Sequence, residues 1–333
     1  MSRPQLAVSA AVGPTPVQAL QLAIDAQQWG YEAYWGAEVD GPDAFTMLGA
    51  IAASTDLELG VAVVPVQTRT AFVLAMSALS LSSLSGGRFS LGIGASSDVL
   101  VQRFGGIPYE KPLTWVRETV EALRPVFRGE RTSLDGQKVR IGGYKSPVAP
   151  AGEIPILLGS LNPASLRMAG AIGDGICLNQ MRVDHVPVML DEVREGAAEA
   201  GRELPKDYPV VARLFCHVTD DPDPVKAMLP YAFGPYVATP GYNRFYQWQG
   251  YEEAADAIAA ASAEGDKAGM AAGYTPDIVD DLFLIGSAEQ IVERLEGFGE
   301  VGVTTAAIAP LSPDAVGAAT TFQAIAEAWN RTA

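Results

Sequence analysis

The sequence predicts an α/β protein folded as a (β/α)8 TIM barrel, with an insertion between its seventh and eighth strands. Short β-branched or apolar runs alternate with longer segments of helical period, as repeated strand-helix units around a parallel sheet require. The alternation can be followed through eight units in 333 residues, and such barrels begin near about 250 residues and accept extensions. No Pro/Ser-rich linker, low-complexity tract or longer repeat interrupts it. Residues 1–333 are therefore expected to form one domain. A doubly wound sheet is the rival arrangement.

The first unit pairs Leu6–Ala10 with a helix announced by Thr15, Pro16 and Gln18. Threonine caps, proline suits the first helical position, and glutamine completes a capping box. The helix should end near Gly30. The second unit pairs Ala33–Ala37 with Asp43–Ala53, and the third pairs Leu57–Val64 with Thr70–Leu84. Arg88–Gly94 is strand four and Pro112–Phe127 its helix. Arg131–Ile141, centred on Asp135-Gly136, has the pattern of a surface hairpin. Strand five is Ile154–Leu158, followed by a helix that Asn162 caps and Pro163 opens, running to about Ile172. Gly175–Asn179 with Asp184–Ala200 makes unit six. Pro209–Val218 with a long helical stretch from Asp223-Pro224 makes unit seven. Val303–Ile308 and a helix from Ser312-Pro313-Asp314 to Trp329 close the count. The insertion, residues 229–285, opens with an aromatic segment, PYVATPGYNRFYQW, from Pro235 to Trp248. Loops after the strands form the active face of such a barrel, so this segment is expected over its mouth, as pocket wall or as packing under a long loop.

Lys+Arg number 23 against 39 Asp+Glu, a formal charge of −16. So acidic a chain repels nucleic acid and anionic membrane, and neither is an expected partner, although a local basic pocket can still hold a small anion. Cys177 and Cys216 lack CxxC spacing, which offers no metal cluster and suits a reducing compartment. No basic leader with a cleavage site and no apolar run of about 18 residues is present. A cytoplasmic protein acting on a small molecule is expected.

Gly92 and Gly94 end strand four and Ser96, Ser97 and Asp98 follow. The string lacks the third glycine of a dinucleotide turn and does not open the first unit, which disfavours a Rossmann site. Glycines at a strand end let a flat ligand approach the backbone, and the serines can donate hydrogen bonds to it. At Gly159-Ser160-Leu161-Asn162-Pro163, a strand end, a hydroxyl and a helix start offer an anion site, although capping alone accounts for Asn162. No GxSxG elbow or HExxH helix occurs, and His185 and His217 lie in no triad context. Glu38 after strand two and Asp98 after strand four are the carboxylates placed to act as acid or base if desolvated.

Five strings taken together are familiar: LGVAVVPVQTR from Leu59 to Arg69, SGGRFSLGIG from Ser85 to Gly94, GGIPYEKP from Gly105 to Pro112, Gly173-Asp174-Gly175, and GSAEQ from Gly286 to Gln290. Over nearly the whole chain they resemble the luciferase-like monooxygenase superfamily, most closely the actinobacterial branch of deazaflavin oxidoreductases that use coenzyme F420. The resemblance implies the same barrel, a deazaflavin across its C-terminal mouth, and a homodimer formed through flank helices. It implies a non-proline cis peptide in a strand-three bulge under the central ring, matching Ala62, Val63 and Val64, at Ala62–Val63 or one residue later. Gly94, Ser96 and Ser97 would then line the ring or ribityl chain, and Gly159, Ser160 and Asn162 the phosphate arm. The chain also departs from relatives. Where sugar-phosphate dehydrogenases of the superfamily carry Asp-His after strand two and an acid after strand four, it has Glu38-Val39 and Ser97. Where relatives in the F420 branch often have Ser-His, it has Ser96-Ser97. An imidazole proton donor is thus unsupported, which leaves Glu38, Tyr242, Tyr246 or solvent. The expected activity is F420-dependent hydride transfer with a neutral, rather apolar enone, imine or alcohol. An FMN-dependent monooxygenase and a deazaflavin-binding protein without turnover are the alternatives.

Overall fold

A computed structural model describes residues 3–9, 14–39 and 41–332. Eight parallel strands close on themselves: β1 (Gln5–Ser9), β2 (Ala33–Gly36), β3 (Glu58–Pro65), β4 (Phe89–Gly94), β7 (Ile156–Gly159), β8 (Gly175–Asn179), β9 (Val210–Val218) and β11 (Thr305–Pro310). Gln5 pairs with Thr305 and Ala7 with Ala33, so β1 lies between β11 and β2. Cys177 pairs with Val211, joining β8 to β9. Those pairings exclude the open doubly wound sheet. Ala10, the expected end of the first strand, lies outside the described residues.

The helices begin and end where local chemistry directs. In α1 (Pro16–Trp29) Thr15 and Gln18 form the expected capping box, and Gly30, at φ 101°, closes the helix in the left-handed region. Asp43 and Thr70 cap α2 (Ala44–Ser54) and α3 (Ala71–Leu84). A π-helical turn (Val99–Phe104) precedes α4 (Pro112–Phe127). Asn162 caps α5 (Pro163–Ile172), with Ser165 reciprocating. The helix α6 (Val186–Glu199) covers β8 after a short 3-10 turn. No helix among the described residues is long and apolar enough to cross a membrane.

The Asp135-Gly136 run is an antiparallel hairpin, β5 (Thr132–Asp135) and β6 (Arg140–Tyr144). Glu118 of α4 anchors it, accepting backbone N–H bonds from Gln137, Lys138 and Val139 at 2.9, 2.7 and 2.8 Å. Burial pushes its carboxyl up, but these three donors, aided by Arg117, pull it further down, below its usual 4.5. Its stabilising contribution is present above that value and lost as pH falls through the lower folded value. Glu118→Gln should cost about 2 kcal/mol at neutral pH in urea unfolding, with the gap to wild type closing in acid. Equal midpoints at neutral pH would refute the anchoring role.

Between β9 and β11 the chain makes α7 (Asp223–Val237), α8 (Pro240–Trp248), α9 (Glu252–Ala263), α10 (Lys267–Gly273), α11 (Pro276–Leu282), β10 (Phe283–Gly286) and α12 (Ala288–Glu300). The strand β10 was not foreseen. Arg213 of β9 pairs with Asn179 and Ala307, whereas Phe215 pairs with Phe283 and Ala309. So β10 takes over, further along, the edge of β9 that β8 has left, and it carries the insertion's end back to the barrel. The final helix, α13 (Ala315–Arg331), is capped by Asp314.

Strands covered on both faces must be apolar on both. Outward residues such as Leu6, Val8, Leu91 and Ile93 join the large core under the helices. Inward residues form a second cluster of Ala7, Ala33, Trp35, Leu157, Cys177, Val211 and Ala307, with Ala62 and Val63 packed against it. Both cysteines are buried and free.

Candidate active site

The C-terminal mouth of the barrel is built on an irregularity in β3. Val61 pairs with Leu91 and Val64 with Ile93, so an extra residue bulges from the ladder there. The Ala62–Val63 peptide is cis, the first of the two expected positions. Both residues are half-buried and line the barrel interior. A Cβ on Gly94 would stand 2.7 Å from Val63 Cγ2, and one on Gly159 would stand 2.9 Å from Val63 Cγ1. Val63 therefore spreads over two strands whose ends carry no side chain, giving an apolar floor open toward solvent, suited to a planar ligand.

Glu38 supports that floor. Its backbone N–H donates to the Val63 carbonyl at 3.4 Å, and its carboxylate accepts from Arg69 Nε and Nη2 at 2.8 and 2.7 Å. Arg69 also pairs with Asp43 and lies 4.9 Å from the Phe45 ring centroid. Both Glu38 oxygens are thus engaged by a guanidinium in a bidentate pair. Glu38, expected from the sequence as a candidate acid, is held here by Arg69.

Beyond β4, Ser96 adopts φ 57° and its carbonyl accepts from the Tyr109 hydroxyl at 3.0 Å. Ser97 Oγ accepts from the Leu100 N–H at 3.4 Å, at the start of the π-helical turn. Gln67 holds the Ala95 carbonyl at 2.8 Å while its own Oε1 is buried without a partner. Ser96 and Ser97 are half-buried on the loop that follows β4.

The loop after β7 differs from expectation. Ser160 is buried; its N–H donates to the Cys177 carbonyl at 3.2 Å and its hydroxyl to the Ser165 carbonyl at 3.2 Å. Asn162 Oδ1 serves the capping box, accepting from Ser165 N–H at 3.1 Å. The Ser160 hydroxyl is thus engaged, whereas Asn162 Nδ2 makes no hydrogen bond among the described residues. The amides of Leu161 and Ala164 make no hydrogen bond among the described residues, and they remain as donors at the positive end of α5.

The wall opposite belongs to β8, β9 and the insertion. Asn179 Nδ2 donates to the Tyr242 hydroxyl at 2.9 Å, and its Oδ1 is buried with no partner. Tyr242 is half-buried with its ring edge-on to Tyr236, centroids 5.8 Å apart. Burial raises its phenol above the usual value, and the Asn179 bond offsets only part of this. The phenol is therefore neutral at physiological pH. Because its oxygen accepts from Asn179, its hydrogen stays available. Tyr246, four residues on, lies deeper: it is without exposure, donates to Gln180 Oε1 at 2.7 Å and meets the Tyr274 hydroxyl at 3.0 Å. It belongs to the buried core under the insertion, whereas the sequence set it beside Tyr242 as a candidate acid.

The luciferase-like monooxygenase family model matches residues 2–305. The chain belongs to that family. It is 30% identical to the 5,10-methylenetetrahydromethanopterin reductase of Methanolobus tindarius over 87% of this chain and 89% of the relative. Its fold matches the coenzyme F420-dependent tetrahydromethanopterin reductase of Methanopyrus kandleri with a TM-score of 0.82, at 21% identity over 99% of each chain. It also matches an F420-dependent secondary alcohol dehydrogenase bound to an F420–acetone adduct, with a TM-score of 0.79 at 18% identity, over 98% of this chain and 99% of the other.

Within this luciferase-like barrel, the sequence reading missed Asn179 and Arg213. One signal was present. Val210–Val218 is an apolar strand in which Arg213 shares the inward alternation of Val211, and a lone arginine on an inward face is unusual enough to mark a site. Among the described residues, no cluster of three or more His, Cys, Asp or Glu is placed to hold a metal ion.

Proposed function

We propose that this luciferase-like chain is an F420-dependent oxidoreductase that moves a hydride between deazaflavin C5 and a small, largely apolar enone, imine or alcohol. The observation that carries the proposal is the open floor of Ala62 and Val63, kept flat by Gly94 and Gly159. The residues present fit the cofactor: an apolar floor for the ring, Ser96 and Ser97 beside it, and the free amides of Leu161 and Ala164 for a phosphate. The likeness to proteins described as F420-dependent supports the choice over FMN.

F420, when bound, supplies the hydride chemistry. The chain's own work is orientation, water exclusion and proton supply. Glu38 and Arg69 brace the bulge from below. Tyr236 and Tyr242 wall the mouth with aromatic surface. Tyr242, fixed by Asn179, holds a proton at its Oη for the substrate oxygen or nitrogen left electron-rich by hydride addition.

Anaerobic mixing of the protein and reduced F420 with cyclohexenone, a cyclic imine and acetone tests this reading. Return of the oxidised cofactor's visible absorbance with at least one of them is the expected result. Tight F420 binding with no turnover across the panel would leave a binding protein in its place.

A further inference from the structure

Arginines in this acidic chain are almost all spoken for. Among those not exposed, Arg3, Arg69, Arg124, Arg167, Arg182 and Arg202 pair with carboxylates, and Arg88 and Arg294 donate to backbone carbonyls. Arg213 alone among them makes no hydrogen bond or ion pair with the described residues, and its Nε is buried without an acceptor. Arg213 is half-buried, so its terminal nitrogens stay within reach of a ligand, and a cation set into a largely apolar wall is tolerated where an anion completes the pair.

Its position is specific. Val211, two residues earlier, lies in the barrel interior, so Arg213 stands one layer nearer the C-terminal mouth, in register with Asn179. Its guanidinium carbon lies 4.9 Å from the Phe215 ring centroid. Phe215 in turn packs edge-on to Phe233 of the insertion, centroids 5.0 Å apart. Burial lowers the guanidinium's proton affinity while the nearby Tyr242 and Tyr236 raise it; the group remains a cation, since arginine keeps its proton in proteins. The result is a planar cationic fork on an aromatic wall, one layer above the interior cluster that includes Ala62 and Val63.

We propose that Arg213 docks a carboxylate of the substrate, so that the molecule turned over has an apolar, conjugated body and one anionic end. This rests on the mouth being the reaction site, and it replaces a neutral substrate with an amphipathic acid. The guanidinium fork matches a carboxylate with two parallel N–H bonds. The orphaned Asn179 Oδ1 accepts a protonated or N–H group beside it. The bound anion also fixes the substrate's distance from the Tyr242 hydroxyl. Elsewhere the net charge of −16 repels anions, so a single local cation gives the acid both its affinity and its place.

Calorimetric titration of the F420-loaded protein with trans-cinnamate, and with trans-cinnamamide as its uncharged counterpart, tests the proposal. Wild type should bind the acid about tenfold or more tightly than the amide, the scale of charge-assisted pairing. Arg213→Gln should remove that preference and leave F420 affinity within about twofold; Arg213→Lys should keep part of it. Equal affinity of wild type for acid and amide would overturn the proposal, and needs no variant to fold. Loss of F420 affinity in Arg213→Gln with the acid preference intact would overturn it too, by assigning Arg213 to the cofactor. If wild type takes up no F420, the functional reading fails separately, and the same pair of titrations on cofactor-free protein still decides the role of Arg213.

Discussion

Tyr242→Phe is expected to lower kcat by about two orders of magnitude, the usual contribution of a positioned general acid, while F420 affinity stays the same. The substitution removes only the hydroxyl that Asn179 orients at 2.9 Å. Since burial raises the phenol above its usual 10.0, the proton is present at every pH up to that value. The wild-type rate should therefore be flat from neutral to mildly alkaline pH, and the variant should lose rate uniformly across that range. Tyr246→Phe is the control. It breaks the bonds to Gln180 and Tyr274 in the insertion's core, so it should lower stability by about 1–3 kcal/mol and leave kcat nearly unchanged. Full turnover by Tyr242→Phe would show that solvent supplies the proton.

The second large effect is steric. Gly94→Val puts a Cβ where only 2.7 Å separates it from Val63 Cγ2, so Val63 must rise into the mouth. F420 affinity should fall by about a hundredfold, equivalent to about 2.8 kcal/mol of lost ring contact. Overpacking should cost about 1–3 kcal/mol, read by urea unfolding. A folded Gly94→Val protein that binds F420 as wild type does would show that the ring does not rest on Val63.

Much of the barrel was legible because its signals are local. Thr15 with Gln18, Asn162 with Pro163, and Asp135-Gly136 each act through groups within a few residues, so spacing alone places the helix starts and the hairpin. The strand β10 was hidden: Phe283–Gly286 follows α11 directly, and four apolar residues after a helix carry no period of their own. Its existence depends on the edge of β9 left by β8, a long-range fact. The hydrogen bonds of Ser160 were hidden for a related reason. A serine at a strand end suits an anion, yet the reciprocal cap between Asn162 and Ser165 turns the loop so that the Ser160 hydroxyl points at the Ser165 carbonyl. Glu38 looked free because its partner Arg69 is 31 residues away. Tyr242 and Tyr246 share a helix face, and only the depth at which α8 settles on Asn179 and Gln180 separates them.

The measurement bearing most directly on the central claim is equilibrium titration of the cofactor-free protein with F420 and, separately, with FMN, followed by fluorescence. Saturable F420 binding at about one per chain, with FMN at least tenfold weaker and Gly94→Val binding F420 about a hundredfold more weakly, is the result this account predicts. FMN binding as tight as F420, or tighter, would contradict it.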